Sequence, residues 1–287
     1  MSPISSSRWE VRKMAKVFIG VGHGGKDPGA VGKVREADAN LVIALALKTE
    51  LERHGVVVGI SRIKNENDSL DEEIKEANAF RPDLAIDVHN NAGGGDGFEA
   101  YIQTNSYRKK SLAIAEAIEK HVTVLGQRSR GMKTKKNSAG TADYYGFLRN
   151  VKAPAVILEG FFVDSNDALG FDVRGEQEAL GVAYAKGILD YLGIKYTGDG
   201  RKEVNATENA ASCDKVLSGV YTVTASSLNV RAGAGTDKKI LVAIPRAEKV
   251  QNYGYFTELD GVKWLYVLVI HKGVTYRGFC SSQYLRK

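Results

Sequence analysis

Hydrophobic positions in the first two thirds of the chain follow two patterns that alternate along the sequence. Five short apolar runs have the length and β-branched content of buried strands: KVFIGV, VVVGIS, LAIDV, GFEAYIQT and AVILEG. Three longer stretches place apolar residues three and four positions apart, as amphipathic helices do: EADANLVIALALKTELERHG, KSLAIAEAIEKHVTVLG and VRGEQEALGVAYAKGILDYLG. This alternation predicts an α/β domain over residues 15–193, with a mostly parallel sheet flanked by helices.

Local signals predict a further helix and a loop inside this domain. Ser69 and Glu72 form the S-x-x-E pattern of a capping box, which predicts a helix that begins after Ser69. We expect it to end near Phe80, because Pro82 cannot continue it. Residues 126–140 (GQRSRGMKTKKNSAG) have no period and many cations, and they predict a basic loop.

The pattern changes on both sides of this domain. Residues 1–14 are polar and predict a poorly ordered lead, or an extension if Met14 is the natural start. Residues 194–218 are polar without a hydrophobic period and predict a linker. Residues 219–287 carry five or six short β segments between turns, which predicts a small all-β barrel.

Aromatic residues recur in the predicted barrel. Burial in the barrel core is the simpler interpretation for each of them, and any exposed subset would form a groove for a sugar or a peptide. The residues concerned are Tyr253, Tyr255, Phe256, Tyr266 and Tyr276.

Four residues of types that bind metals or transfer protons lie at the ends of predicted strands and helices. His23, His89 and Glu159 each close or follow an apolar run, and Glu36 opens a helix. Two histidines and one carboxylate make a three-ligand zinc set with a fourth position open for water, and Glu159 would then act as general base. From spacing alone the question stays open, since a histidine at a strand end is more often structural, and Glu159 fits equally well as a solvent-facing residue.

The remaining histidines and the cysteines point to no second site. His54, His121 and His271 lie near a helix end, inside a helix and in a hairpin, and we expect them to be structural or solvated. Cys213 and Cys280 belong to no C-x-x-C pair, so they predict free thiols.

Taken together, the motifs VGHGGKDPGAVG, Glu36, DVHNNA and LEGFF resemble those of zinc-dependent N-acetylmuramoyl-L-alanine amidases of the amidase-3 type. The resemblance covers about residues 15–192. It implies that His23, Glu36 and His89 bind Zn²⁺ and that Glu159 is the catalytic glutamate. It also implies hydrolysis of the peptidoglycan amide between N-acetylmuramic acid and L-alanine.

Two further residues are expected to contact substrate. Asn91 belongs to the DVHNNA motif, and Arg130 belongs to the predicted basic loop.

The last domain resembles bacterial SH3-type (SH3b) domains. The segments LNVRAGAGT and GFCSSQYL, together with Trp264, carry this resemblance, although Cys280 stands where an aromatic or aliphatic residue is usual. It implies a module that tethers the enzyme to the bacterial cell wall.

Charge and composition limit the classes of molecule that this protein is expected to bind. The net charge of +6 lies entirely in residues 219–287, which hold 10 Lys/Arg against 4 Asp/Glu. A basic domain attracts polyanions. No nucleic-acid motif is present, and an anionic wall polymer is an equally physical partner. The resemblance to the amidases implies peptidoglycan as the other partner. A hydrophobic fraction of 43% is ordinary for a globular protein, and no apolar run has the roughly 18 residues of a membrane-spanning helix.

The N-terminal residues lack the apolar core of a signal peptide. This predicts synthesis in the cytoplasm and action at the wall after release, as in a phage endolysin. A host autolysin with the same activity and a non-catalytic wall-binding protein are the alternatives. A zinc peptidase or deacetylase is disfavoured, because the sequence contains neither H-E-x-x-H nor another close histidine pair.

Overall fold

The computed structural model describes residues 14–198 and 202–287. The first unit alternates strands and helices as predicted. The predicted N-terminal lead lies outside the described residues, except for its last residue, Met14. Its strands are β1 (Lys16–Val21), β2 (Val57–Ile60), β3 (Leu84–Asn91), β4 (Phe98–Ile102), β5 (Ser129–Lys133) and β6 (Ala155–Phe162). Its helices are α1 (Glu36–Arg53), α2 (Leu70–Phe80), α3 (Arg108–Thr123), α4 (Gly146–Asn150) and α5 (Arg174–Leu192).

The six strands form one mixed sheet in the order β2-β1-β3-β6-β4-β5. The four strands β2, β1, β3 and β6 are parallel to their neighbours. β4 runs antiparallel to β6, and β5 pairs with β4 in parallel, so the last two strands run opposite to the other four. The predicted parallel sheet is therefore correct for its central part, where the carboxyl ends of β1, β3 and β6 meet at one edge.

Alternate residues of the central strands pack on opposite faces of the sheet. Val17, Ile19 and Val21 of β1 belong to the larger core, together with residues of α1, α3 and α5. Phe18 points to the other face and packs with residues of α2 and α4. Helices on both faces bury both sides of the sheet, which explains why its central strands are continuously apolar.

Helix α2 begins at the predicted capping box. The Ser69 hydroxyl accepts a hydrogen bond from the Glu72 amide, 3.3 Å away, and the Glu72 carboxylate accepts one from the Ser69 amide at 3.2 Å. The helix ends at Phe80, and Arg81 takes a left-handed conformation with φ 51° before Pro82. Both predicted boundaries are thus confirmed.

The predicted basic loop is only partly a loop. Within residues 126–140 the segment Ser129–Lys133 forms β5, which pairs with β4 at the open edge of the sheet. Its side chains are half-buried or exposed, so it lacks the apolar alternation that reveals a strand in sequence.

The C-terminal unit is a curled, largely antiparallel sheet. Its main strands run in the order β11-β10-β14-β13-β12-β9-β15. They are β9 (Gly219–Val223), β10 (Ser227–Arg231), β11 (Ile240–Pro245), β12 (Lys249–Leu259), β13 (Val262–His271), β14 (Val274–Ser281) and β15 (Leu285–Arg286). Tyr276 and Phe256 pack against its core, and the Tyr266 ring lies 5.1 Å from that of Phe279.

Part of the segment expected to be a linker joins this sheet. β7 (Lys202–Asn205) pairs in parallel with β14, and β8 (Ser212–Cys213) pairs with β12. A 3₁₀ turn at Lys215–Leu217 then leads into β9.

Buried polar contacts join the two units. Glu176 of α5 accepts hydrogen bonds from Ser218 Oγ at 2.8 Å and from Gln251 Nε2 at 2.6 Å. Lys215 Nζ donates to Gln127 Oε1 at 2.8 Å. Cys213 and Cys280 are free, as predicted. None of the described helices is both long and apolar enough to cross a membrane.

Candidate active site

The loop after β1 brings His23 to the carboxyl edge of the sheet. His23 has a positive φ of 64°, which is uncommon for a residue with a side chain. A Cβ on the preceding Gly22 would overlap the imidazole of His89, so only glycine fits at this position. The glycines of the GHGG motif therefore allow the two histidines to approach each other, with ring centroids 5.0 Å apart.

Glu36 lies between the two histidines. Its Oε1 atom is 3.2 Å from His23 Nε2 and 3.1 Å from His89 Nδ1. One donor atom from each of the three residues lies within 4.8 Å of the others. In a tetrahedral zinc site with bonds of about 2.0–2.2 Å, neighbouring ligand atoms lie roughly 3.3–3.5 Å apart. The three predicted ligands thus converge at spacings close to those that a metal ion needs.

Each histidine has a carboxylate on its second ring nitrogen. Asp27 Oδ2 lies 2.8 Å from His23 Nδ1, and Asp87 Oδ2 lies 3.4 Å from His89 Nε2. Such partners fix the tautomer and the ring orientation of histidines that bind metals.

The sequence reasoning missed both of these carboxylates, although each left a signal. Asp27 lies in the first motif, four residues after His23. Asp87 precedes His89 by two positions on β3, so both side chains are on the same face of the strand.

Hydrogen bonds and ion pairing with the two histidines favour the ionised form of the Glu36 carboxylate. Burial alone raises the pKa of Glu36, but hydrogen bonds from His23 and His89 outweigh it and hold the pKa well below its usual value. The hydrogen bond to Glu36 raises the pKa of His23. Burial lowers the pKa of His89, yet the charge of Asp87 and the bonds to Asp87 and Glu36 raise it well above its usual value. The site therefore stabilises positive charge, as a cation-binding site must.

Glu159 lies beside this cluster on the neighbouring strand. It is in register with His89 across the β3–β6 pair and is half-buried. Burial raises the pKa of Glu159 to about 7, although the charge of His89 opposes that shift. A carboxyl group with a pKa near neutrality both accepts and releases a proton readily at pH 7, which suits acid–base catalysis.

A cavity of about 270 Å³ opens onto these residues. It is strongly acidic, with Asp27, Asp68, Glu73, Asp87 and Glu159 in its walls beside the two histidines. Glu73 and Asp87 are buried, and each has one carboxylate oxygen without a hydrogen-bond partner among the described residues.

Asn91 and Arg130 meet at a neighbouring carboxylate. Asn91 Nδ2 donates to Glu99 Oε1 at 2.9 Å, and Arg130 Nε donates to Glu99 Oε2 at 2.7 Å. Glu99 on β4 is paired with Glu159 on β6. Neither Asn91 nor Arg130 lines the acidic cavity, and their contact with substrate stays a prediction.

The other histidines make local contacts elsewhere. His54 Nδ1 lies 2.7 Å from the Glu50 carbonyl oxygen. His121 pairs with Asp190 at 2.7 Å, and His271 lies 3.4 Å from Glu248.

Comparisons with known proteins identify the family of this chain. The sequence profile described as N-acetylmuramoyl-L-alanine amidase matches residues 17–190, a range that contains His23, Glu36, His89 and Glu159. The sporulation-specific N-acetylmuramoyl-L-alanine amidase of Bacillus subtilis (strain 168) is 31% identical over 212 residues, which cover 71% of this chain and 80% of that protein.

A phage protein and a solved structure are also similar. The endolysin of Bacillus phage SPP1 is 32% identical over 194 residues, covering 64% of this chain and 68% of the phage protein. The catalytic domain of CwlV, an N-acetylmuramoyl-L-alanine amidase from Bacillus (Paenibacillus) polymyxa var. colistinus, superposes with a TM-score of 0.56 at 27% identity, covering 63% of this chain and 100% of that domain. The chain belongs to the N-acetylmuramoyl-L-alanine amidase family and is a peptidoglycan amidase.

Proposed function

We propose that this amidase is a zinc metallohydrolase that cleaves the bond between N-acetylmuramic acid and L-alanine, with Glu159 as its general base. The observation that carries the proposal is the convergence of His23, Glu36 and His89 within 4.8 Å, next to Glu159 on the adjacent strand.

The donor set fits zinc. Two imidazoles and one carboxylate are ligands that Zn²⁺ prefers, and three protein ligands leave one coordination position for substrate or water. Asp27 and Asp87 support the two imidazoles in the way that ligand histidines require. Zinc held there would polarise the scissile carbonyl and lower the pKa of water to about 7.

Glu159 moves the proton in this mechanism. Its carboxylate accepts a proton from the attacking water as the new C–O bond forms. It then delivers that proton to the leaving nitrogen of L-alanine as the C–N bond breaks, so the same group acts first as base and then as acid. A pKa of about 7 suits both steps.

Asn91 and Arg130 complete the proposed site as substrate-binding residues. Both side chains hydrogen-bond Glu99 of β4, the residue that is paired with Glu159 of β6, and this supports the proposal. From there an amide and a guanidinium would hydrogen-bond the polar groups of the stem peptide or the sugar.

Product analysis after metal removal tests the catalytic proposal. The full-length chain incubated with purified peptidoglycan should release free amino groups of L-alanine without new reducing sugar ends. Dialysis against a chelator should abolish this release, and added Zn²⁺ should restore it. New reducing ends would indicate a glycosidase, no release would indicate a wall-binding protein without activity, and full activity in a metal-free sample would exclude the zinc mechanism.

We assign the C-terminal unit a tethering role, as an SH3b-type wall-binding domain. In this division the catalytic domain spans 15–193 and the binding domain spans 219–287. The connecting segment 194–218 contributes β7 and β8 to the sheet of the binding domain. The curled antiparallel sheet and the basic charge of the last segment support the assignment. Tethering raises the local concentration of the enzyme at its insoluble substrate.

Removal of the C-terminal unit tests the tether. A chain that ends at residue 198 should hydrolyse soluble muramoyl peptides at close to the full-length rate and should bind whole walls more weakly. The electrostatic part of wall binding should fade with salt, because the Debye length falls from about 10 Å at 0.1 M to about 3 Å at 1 M. A truncated chain that binds walls as tightly as the full chain would exclude the tether.

We propose that this amidase lyses the bacterial cell wall as an endolysin does. The alternative is that it is a host autolysin with the same activity. The similarity to an endolysin supports the first assignment, and the similarity to a sporulation-specific amidase supports the second.

A further inference from the structure

A buried arginine contacts the backbone segments that carry the proposed zinc ligands. Arg62 comes shortly after β2, and its side chain is buried, with 2% exposure. A guanidinium is costly to bury unless its N–H groups find acceptors. Its four hydrogen bonds among the described residues all end on backbone carbonyl oxygens. The role of this cation therefore depends on which carbonyl groups it holds.

Three of these carbonyl groups flank proposed ligands. Arg62 Nη2 donates to the Gly22 carbonyl oxygen at 3.2 Å and to the Ala37 carbonyl oxygen at 2.8 Å. Gly22 directly precedes His23, and Ala37 directly follows Glu36. The Nε atom donates to the carbonyl oxygen of the residue before Gly22, at 3.0 Å. One planar guanidinium thus ties the loop of one ligand to the helix of another.

Two buried asparagines extend this contact to the third ligand. Asn40 Nδ2 donates to the same Gly22 oxygen at 2.9 Å, and Asn90 Nδ2 donates to Asn40 Oδ1 at 2.7 Å. Asn40 lies on α1, about one turn after Glu36. Asn90 directly follows His89, and its backbone amide donates to Glu36 Oε1 at 3.2 Å. Hydrogen bonds therefore connect the segments of all three proposed ligands.

His23 is the ligand whose backbone most needs such support. Its φ of 64° is in the left-handed region, which costs free energy for a residue with a side chain and persists only where the surrounding structure fixes it. The preceding Gly22 is held at both of its backbone groups. Its carbonyl oxygen accepts from Arg62 and Asn40, and its amide donates to the Val88 carbonyl oxygen at 3.1 Å. Loss of these contacts would let the loop relax and move the imidazole.

From these contacts we infer that Arg62, Asn40 and Asn90 are positioning residues, which hold the three proposed ligands in their binding geometry and so set the zinc affinity of the site. None of the three lines the acidic cavity, so they act through the ligands. A site that is already ordered loses less conformational freedom when it binds. The inference rests on the proposed function, because it takes the zinc ligands as assigned there.

The zinc affinity of Arg62→Lys in the full-length chain tests this inference. Lysine keeps the positive charge, but its compact ammonium cannot span the carbonyl groups that a guanidinium fork reaches. Metal-free protein is titrated with Zn²⁺ in competition with a chromophoric chelator. We expect the Kd for Zn²⁺ to rise about tenfold, the lower end of the effect of losing groups that orient metal ligands. Arg108→Lys is the matched control: Arg108 is exposed at the start of α3 and should leave the Kd unaltered.

Asn40→Leu is a second test that leaves Arg62 in place. Leucine has a similar shape, but it neither donates to Gly22 nor accepts from Asn90, so the Kd for Zn²⁺ should again rise about tenfold. The visible absorption of Co²⁺ bound in place of Zn²⁺ reports on coordination geometry, and it should change in both variants. Leu51→Ala, buried at the other end of α1, is the control for lost stability. It should lower the midpoint of urea unfolding without changing the Co²⁺ spectrum or the Kd.

Other outcomes overturn the inference. All chains are compared at a temperature at which circular dichroism shows them to be folded. An unchanged Kd and an unchanged Co²⁺ spectrum in Arg62→Lys and Asn40→Leu would refute the positioning role and leave the proposed zinc site standing. An equal rise of the Kd in Leu51→Ala would assign the effect to stability alone. An unmodified chain that does not bind Zn²⁺ would refute the proposed zinc site and this inference with it.

Discussion

Glu159 is the residue whose replacement best separates chemistry from metal binding. Glu159→Gln keeps the size of the side chain and removes the proton acceptor, while His23, Glu36 and His89 stay intact. General-base catalysis contributes about 10²–10⁴-fold to a rate. We expect kcat on soluble muramoyl peptides to fall by that order, with an unchanged zinc content by atomic absorption.

An exposed glutamate of the C-terminal unit provides the control for this variant. Glu258 lies on β12 at the surface, so Glu258→Gln should retain both activity and zinc. If Glu159→Gln instead loses its zinc, Glu159 is a ligand and the proposed division of roles is wrong.

At the scale of single residues, the sequence predicted the four residues of the candidate active site but not the buried carboxyl groups around them. The motifs that contain His23, Glu36, His89 and Glu159 were recognisable by their order, and the structure places them together. The buried carboxyl groups around them were not recognisable. Glu73 comes from a helix whose pattern predicts only one apolar face, and its approach to the site depends on how α2 packs against β1.

The capping box of α2 is an element whose contribution to stability is directly measurable. Ser69→Ala removes the hydroxyl that accepts from the Glu72 amide, and loss of a cap typically costs about 0.5–2 kcal/mol. Because α2 packs on the sheet face that also carries α4, we expect the free energy of unfolding in urea to fall by that amount. The slope of the urea transition should not change.

Ser106→Ala is the matched control, since Ser106 is exposed in the turn before α3. It should leave the midpoint of unfolding unchanged. An unaltered midpoint in Ser69→Ala as well would show that the cap does not limit the stability of this domain.

Strands and helices were predictable from sequence where burial of one or both faces gives their apolar residues a regular spacing. The central strands and the long helices alternate as their apolar positions indicate. β5, β7 and β8 escaped detection because these short segments lack the alternation of apolar and polar residues that reveals a strand in sequence. The reversed direction of β4 left no signal either, because parallel and antiparallel strands have the same two-residue period.

At the scale of the whole molecule, some of the contacts that join the two units come from a segment that the sequence assigned to a linker. Lys215 reaches Gln127 of the first unit, and Ser218 reaches Glu176. A polar segment without a period gives no indication of such partners, because they belong to a distant part of the chain. Whether a linker is free or docked was therefore not predictable.

Glu176 makes this docking sensitive to pH. It is completely buried between the units, and burial raises its pKa to about 7. An unfolded glutamate titrates near 4.3, so the folded protein binds this proton more tightly than the unfolded chain does. The stabilisation is then complete below about pH 4.3 and is lost as pH rises through about 7. The difference between a pKa of about 7 and one near 4.3 corresponds to roughly 4 kcal/mol.

Glu176→Gln tests this dependence because glutamine stays neutral and its carbonyl oxygen still accepts from Ser218 and Gln251. We expect the variant to match the unmodified chain below about pH 4 and to exceed it in free energy of unfolding at pH 8, by up to about 4 kcal/mol. Urea titrations at several pH values measure the difference between the two chains, which cancels the titration of all other groups. Glu178→Gln, on the exposed side of the same helix, should leave the pH dependence unaltered. If Glu176→Gln is instead less stable than the unmodified chain at pH 8, the ionised carboxylate itself holds the two units together.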